Sequence, residues 1–205
     1  MDIRNIIDTV SDGKDQMRDF NAIDSVIIHR CGVDMQMKTV LGYDGESVCR
    51  AFTDGPAKDA TGGQLAYTLL IGGDCGPADF DGVIWQCAPL DEIAWHSRRF
   101  SVKGIGIGLI ADPRYKEPSK LQIESLQDIL IFICAAWGFD PYKTIMGHGE
   151  IPESHDGSKA PGKPAACPGD KLNMNHLRDD IAILMKENGR RKLHEIGLVF
   201  GGKDG

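Results

Sequence analysis

Three side chains of this 205-residue sequence can ligate a transition metal from informative positions: His29, His148 and Cys167. His29 closes the apolar run Asp24-Ser-Val-Ile-Ile-His29, His148 follows Thr144 to Met146, and Cys167 stands directly before Pro168. Two imidazoles and a thiolate form a borderline-soft set that suits zinc and leaves a fourth position for water. The ends of neighbouring strands can bring such distant residues to one ion, which would put their ligand atoms within about 5 Å of one another. By residue type alone, His96, His155 and His176 are equally eligible, and spacing does not choose among them. Cys167 and His148 also have the makings of a thiol nucleophile and its base, with the thiolate favoured by a helix that follows. That chemistry leaves His29 without a role.

The elements that must position these residues are legible in outline. Apolar runs at residues 24–29, 65–71, 83–86 and 105–110 read as strands, the second and third joined as a hairpin across a Gly, Asp and Pro connection. A short helix is expected over Ile3 to Val10, and residues 35–52 stay ambiguous because Gly42 and Gly45 interrupt them. Ser119-x-x-Gln122 is a capping box opening a helix whose apolar face is Leu121, Leu126, Ile129, Leu130, Ile133 and Trp137, with Gly138 as its stop. A strand at residues 144–146, a long loop over 147–168 and a helix near 175–188 complete the pattern. The alternation predicts one α/β domain, a central mixed sheet flanked by helices, with the ligand set at one end of the sheet. Its bounds are residues 23–188, after a polar lead-in over 1–22 and before a charged tail over 189–205.

Several segments in this order resemble the zinc-dependent N-acetylmuramoyl-L-alanine amidases of the type 2 amidase and peptidoglycan recognition protein family, the small phage endolysins above all. They are Val26-Ile-Ile-His29, Tyr67-Thr-Leu-Leu-Ile71 with Gly72-Gly-Asp74, Val83-Ile-Trp-Gln86, Ala94-Trp-His96, Gly104-Ile-Gly-Ile-Gly108, Gly147-His148 and Ala166-Cys167-Pro168-Gly169. The resemblance implies one zinc ion per chain on His29, His148 and Cys167, and peptidoglycan or a muropeptide as partner. It also implies Tyr67 as a catalytic hydrogen-bond donor and His96 as a substrate contact in the cleft, beside Trp95. Two departures stand out. Many relatives have a carboxylate where this chain has Gly108, and a lysine where it has Ala165, with Lys163 two residues upstream. Some family members only bind peptidoglycan, but those typically lack the cysteine ligand.

Composition excludes other classes. Hydrophobic residues make up 41% and charged residues 26%, enough apolar mass for a sizeable core. A formal charge of −7 argues against a nucleic-acid surface, and the longest apolar stretch, Ile129 to Trp137, is too short to span a membrane. Gly106-x-Gly108-x-x-Ala111 formally fits a dinucleotide fingerprint, yet Asp112-Pro113 follows where a helix is required. Six irregularly spaced cysteines suit synthesis in a reducing compartment. The N-terminal residues carry no secretory signal, so the expectation is a protein made in the cytoplasm that acts on the wall as a phage lysin.

Overall fold

The computed structural model describes residues 2–10, 16–35, 38–151 and 167–187. Its strands are β1 (Ile3–Asn5), β2 (Ser25–Cys31), β3 (Val33–Asp34), β4 (Thr39–Val40), β5 (Leu69–Gly72), β6 (Ile84–Gln86), β7 (Gly104–Ile110) and β8 (Ile145–Gly147). Its helices are α1 (Ile7–Val10), α2 (Gly45–Thr53), α3 (Lys58–Thr61), α4 (Lys120–Trp137), α5 (Pro141–Thr144) and α6 (Met174–Glu187). Six strands form one sheet in the order β1-β6-β5-β7-β2-β8. The β5–β6 pair is antiparallel and the other pairs are parallel, so the sheet is mixed as expected.

Side-chain alternation divides the sheet into two unlike faces. Val26 and Ile28 of β2 and Ile105, Ile107 and Leu109 of β7 pack with Leu126, Ile129, Leu130 and Ile133 of α4 and Leu177 and Ile181 of α6. The opposite face carries Cys31, Leu70, Trp85 and Ile110 against Val48 and Cys49 of α2. On that second face β7 offers only Gly104, Gly106 and Gly108 before Ile110. The Cα register sets Ile27 beside Gly106 and His29 beside Gly108.

Local chemistry fixes the helix ends. The Ser119 hydroxyl accepts from Gln122 N, and α4 stops at Gly138 in the left-handed region. The expected capping box is only half formed, because the Gln122 amide instead donates to Ile71 O at 2.8 Å and ties α4 to the sheet. Asp44 caps α2, and the Asn173 side chain accepts from the Asn175 and His176 amides to open α6. The helix expected over 3–10 divides instead into β1 and one turn of α1, because residues 3–5 take the free edge of β6. The strand expected from Leu65 starts at Leu69. The tail over 189–205 lies outside the described residues.

Two buried arginines brace the starts of β7 and β8. Arg18, 8% exposed, donates to the carbonyls of Leu90, Ser101 and Gly104, each at 2.7 Å, and pins the lead-in against β7. Arg178 of α6 donates through Nε to Ile145 O at 2.8 Å and through Nη2 to the Glu150 carboxylate. Since Arg178 is buried, Arg178→Met deprives Ile145 O of its donor. The expected cost is about 1–3 kcal/mol, read as a lower urea midpoint, and an unchanged midpoint would contradict this bracing role.

Candidate metal centre

His29 sits two residues before the end of β2, facing the glycine side of β7, and is 2% exposed. His148 opens a 3-10 turn (His148–Glu150) directly after β8. That turn is held from beneath, because Glu150 accepts from Gly147 N at 2.7 Å and from Arg178. Cys167 enters from the far side, and its carbonyl accepts from Gly149 N at 2.6 Å. Its placement is secured by Gly169, whose φ of +127° and contact with Pro113 leave no room for a side chain. A Cβ there would stand 2.4 Å from the Pro113 carbonyl carbon, while Lys171 N donates to Pro113 O.

These three residues converge. Their ligand atoms all lie within 4.8 Å of one another, with Cys167 Sγ 3.9 Å from His29 Nδ1 and the two imidazole centroids 4.5 Å apart. Ligands of a tetrahedral zinc stand about 3.3–3.6 Å apart, so the group fits a metal ion once its widest separation closes by somewhat more than an ångström. The donor set, two imidazole nitrogens and one sulfur, suits zinc chemically as well. His176, eligible by residue type, lies instead on α6, and His155 lies outside the described residues.

Tyr67 precedes β5 rather than belonging to it, and its ring stands 5.3 Å from that of His29 and edge-on to Phe52. Burial, with the neighbouring Cys31 and Cys167 thiols, pushes its phenol well above the usual value, so it is a proton-bearing donor. The family's strand carboxylate has no room here. A Cβ on Gly108 would meet Leu70 Cδ2 at 2.7 Å, Cys31 Sγ at 2.8 Å and Tyr67 Cδ2 at 3.2 Å. Lys163 and Ala165 lie outside the described residues.

His96, expected as a cleft contact, packs on β7 beside His29. It is buried, 9% exposed, and lies flat on the strand where Gly106 leaves space; a Cβ there would be 2.4 Å from its Cδ2. Both ring nitrogens are engaged within the protein, Nδ1 with His29 Nε2 at 3.1 Å and Nε2 with Gly104 O at 3.1 Å. The ring therefore backs His29. Arg18 escaped sequence reasoning altogether, since nothing in a polar lead-in marks an arginine that will be buried on Gly104 O. Glu150 closes the turn that carries His148 by accepting from Gly147 N.

The profile of the N-acetylmuramoyl-L-alanine amidase family matches residues 19–170. Peptidoglycan-recognition protein LB of Drosophila melanogaster is 25% identical over 109 residues, 53% of this chain and 39% of that protein. The chain thus matches well under half of that relative's length. Among solved structures, the endolysin amidase LysCS from Clostridium intestinale superposes with a TM-score of 0.61 at 12% identity, over 88% of this chain and 95% of that one. A Drosophila PGRP-LB variant in complex with tracheal cytotoxin gives 0.58 at 18% identity, over 93% and 96%. At these identities the likeness is one of fold.

Burial holds both His29 and His96 below the ordinary imidazole value of 6.5, His96 down to about 3. The unfolded chain takes up protons near pH 6.5 that the folded chain refuses, so this stability is present above about 6.5 and is lost as pH falls. With a chelator present, the urea midpoint is expected to drop between pH 7.5 and pH 5, and less steeply in His96→Gln. A midpoint that is flat across this range would contradict neutral burial.

Proposed function

The chain belongs to the N-acetylmuramoyl-L-alanine amidase family, and on that footing we propose that it hydrolyses the amide between N-acetylmuramic acid and L-alanine in peptidoglycan, using one zinc ion held by His29, His148 and Cys167. The observation that carries this is the meeting of two imidazoles and a thiol within 4.8 Å, from three separate elements inside the span the family profile matches. A relative of the same fold holds tracheal cytotoxin, which supports a muropeptide as the partner class. Bound at this site, zinc supplies a Lewis acid for the amide carbonyl and acidifies a water. Tyr67, kept protonated, donates a hydrogen bond to the carbonyl oxygen as charge develops on it.

The role of a phage lysin, made in the cytoplasm and acting on the wall, is the narrower part of the proposal. The combination of Cys167 as third ligand with Tyr67 in place of a strand carboxylate supports it, being the pattern of the phage endolysins this chain resembles. Loss of turbidity from a suspension of bacterial walls tests it.

The 3.9 Å approach of Cys167 Sγ to His29 Nδ1 also fits a thiol nucleophile beside an imidazole, so the deciding experiment separates the two chemistries. A chelator is expected to abolish cleavage and added zinc to restore it. Cys167→Ser is expected to lose metal and activity together, while Cys167→Asp keeps part of each, because a carboxylate also ligates zinc. The products must carry new L-alanine amino termini and no new reducing ends. Activity that survives chelation, with a covalent adduct on Cys167, would transfer the reaction to the thiol, and new reducing ends would end the amidase assignment.

Tyr67→Phe removes one hydroxyl and nothing else. Turnover is expected to fall by about 10²–10³, with zinc content and urea midpoint unchanged. Wild-type turnover in this variant would leave Tyr67 a packing residue.

A further inference from the structure

A metal-binding imidazole must present a lone pair to the ion, and which nitrogen has one is decided by the hydrogen bond at the other. His29 faces Cys167 through Nδ1 and His96 through Nε2. His96 in turn faces Gly104 O through Nε2. A carbonyl oxygen only accepts, so His96 must carry its proton on Nε2. The same carbonyl already takes a hydrogen from Arg18 at 2.7 Å, and a second positive charge buried beside that guanidinium is strongly disfavoured. His96 is therefore neutral, and its Nδ1 is an acceptor. His29 must then donate from Nε2, which leaves its lone pair on Nδ1, the nitrogen turned toward Cys167.

We propose that His96 is a positioning residue for the metal centre: anchored on the Gly104 carbonyl beside Arg18, it fixes the tautomer and ring angle of His29 so that Nδ1 is offered to the ion. The chain of contacts is wholly buried, with His29 and His96 at 2% and 9% exposure and Arg18 at 8%. Solvent therefore cannot supply the missing donor or acceptor if one member is removed. Gly106 belongs to the same device, since any side chain there would displace the His96 ring. The inference rests on the metal assignment for His29 but requires nothing of the substrate.

The test uses the full chain and two replacements. Glutamine at 96 can accept from His29 through its oxygen and donate to Gly104 O through its nitrogen, whereas leucine fills space and does neither. Long-range ¹⁵N–¹H spectra, recorded with and without zinc, are expected to show both His29 and His96 protonated at Nε2 in the wild type. Zinc affinity, measured by competition with a chromogenic chelator, is expected to fall about 10–100-fold in His96→Leu and to stay within a few-fold of wild type in His96→Gln. A His96 proton on Nδ1, wild-type zinc affinity in a folded His96→Leu, or equal loss in both variants would overturn the proposal. If His96→Leu does not fold, the wild-type spectra and the glutamine variant still decide it. None of these measurements involves peptidoglycan, so a wrong substrate assignment would leave them intact. A wild-type chain that binds no zinc would instead sink the metal assignment itself.

Discussion

A strand whose one face carries no side chain before its last residue is the constraint from which the rest of this molecule follows. Gly104, Gly106 and Gly108 alternate along β7, so on that side its backbone is a shallow trough between β2 and β5. His96 lies on Gly106, while Tyr67, Leu70 and Cys31 close over Gly108. The Gly104 carbonyl, exposed by the same lack of bulk, receives Arg18 and His96 together. On the other face Ile105, Ile107 and Leu109 pack as any buried strand would. One short sequence thus makes aliphatic core on one side and, on the other, leaves room for His96 and Tyr67 within a second buried cluster, where hydrogen bonds are strong and unpaired polar atoms are costly.

Around that trough the three candidate ligands are held from outside. His29 is part of the sheet, but His148 and Cys167 belong to connections, and connections need bracing. Arg178 reaches from α6 to Ile145 O and Glu150, and Glu150 closes on Gly147 N. The Gly149 amide takes the Cys167 carbonyl, and Gly169 seats the following turn against Pro113. Asp112 anchors that stretch in turn, bonding Arg114 through both carboxylate oxygens and accepting from Met35 N. Burial pushes the Asp112 carboxyl up, but the Arg114 hydrogen bonds, the Met35 amide and the Arg30 and Arg114 charges together outweigh it and hold the carboxyl below its ordinary value.

What was legible in the sequence was whatever repeats or punctuates. Alternating and helical periods gave the strands at β2, β6 and β7 and the helices α4 and α6 to within a residue or two. Gly138 and Ser119 marked helix ends for reasons confined to a few neighbouring residues. His29, His148 and Cys167 were visible as strand-end and loop residues, and the family's segments singled them out from the other histidines. The rest depends on contacts without a local signature. Residues 3–5 form a strand because β6 has a free edge to fill, which no helical period can reveal. Gln122 deserts its cap for Ile71 O because the sheet lies beneath it. His96 and Arg18 are linked through a backbone carbonyl, and carbonyls are the same at every position of a sequence.

The order of the strands bears on how the chain comes to be folded as it is made. β2 leaves the ribosome well before both its neighbours, β7 and β8, which are encoded far downstream. Until residues 104–110 and 145–147 have emerged, Val26, Ile27 and Ile28 have no partner strand on either edge. Parallel pairing between such distant segments also carries a large loop-closure entropy, which slows folding. Over that interval β2 presents two unpaired edges, the feature that invites pairing with other chains. The candidate metal group at His29 is complete only when Cys167, more than a hundred residues later, arrives to join it.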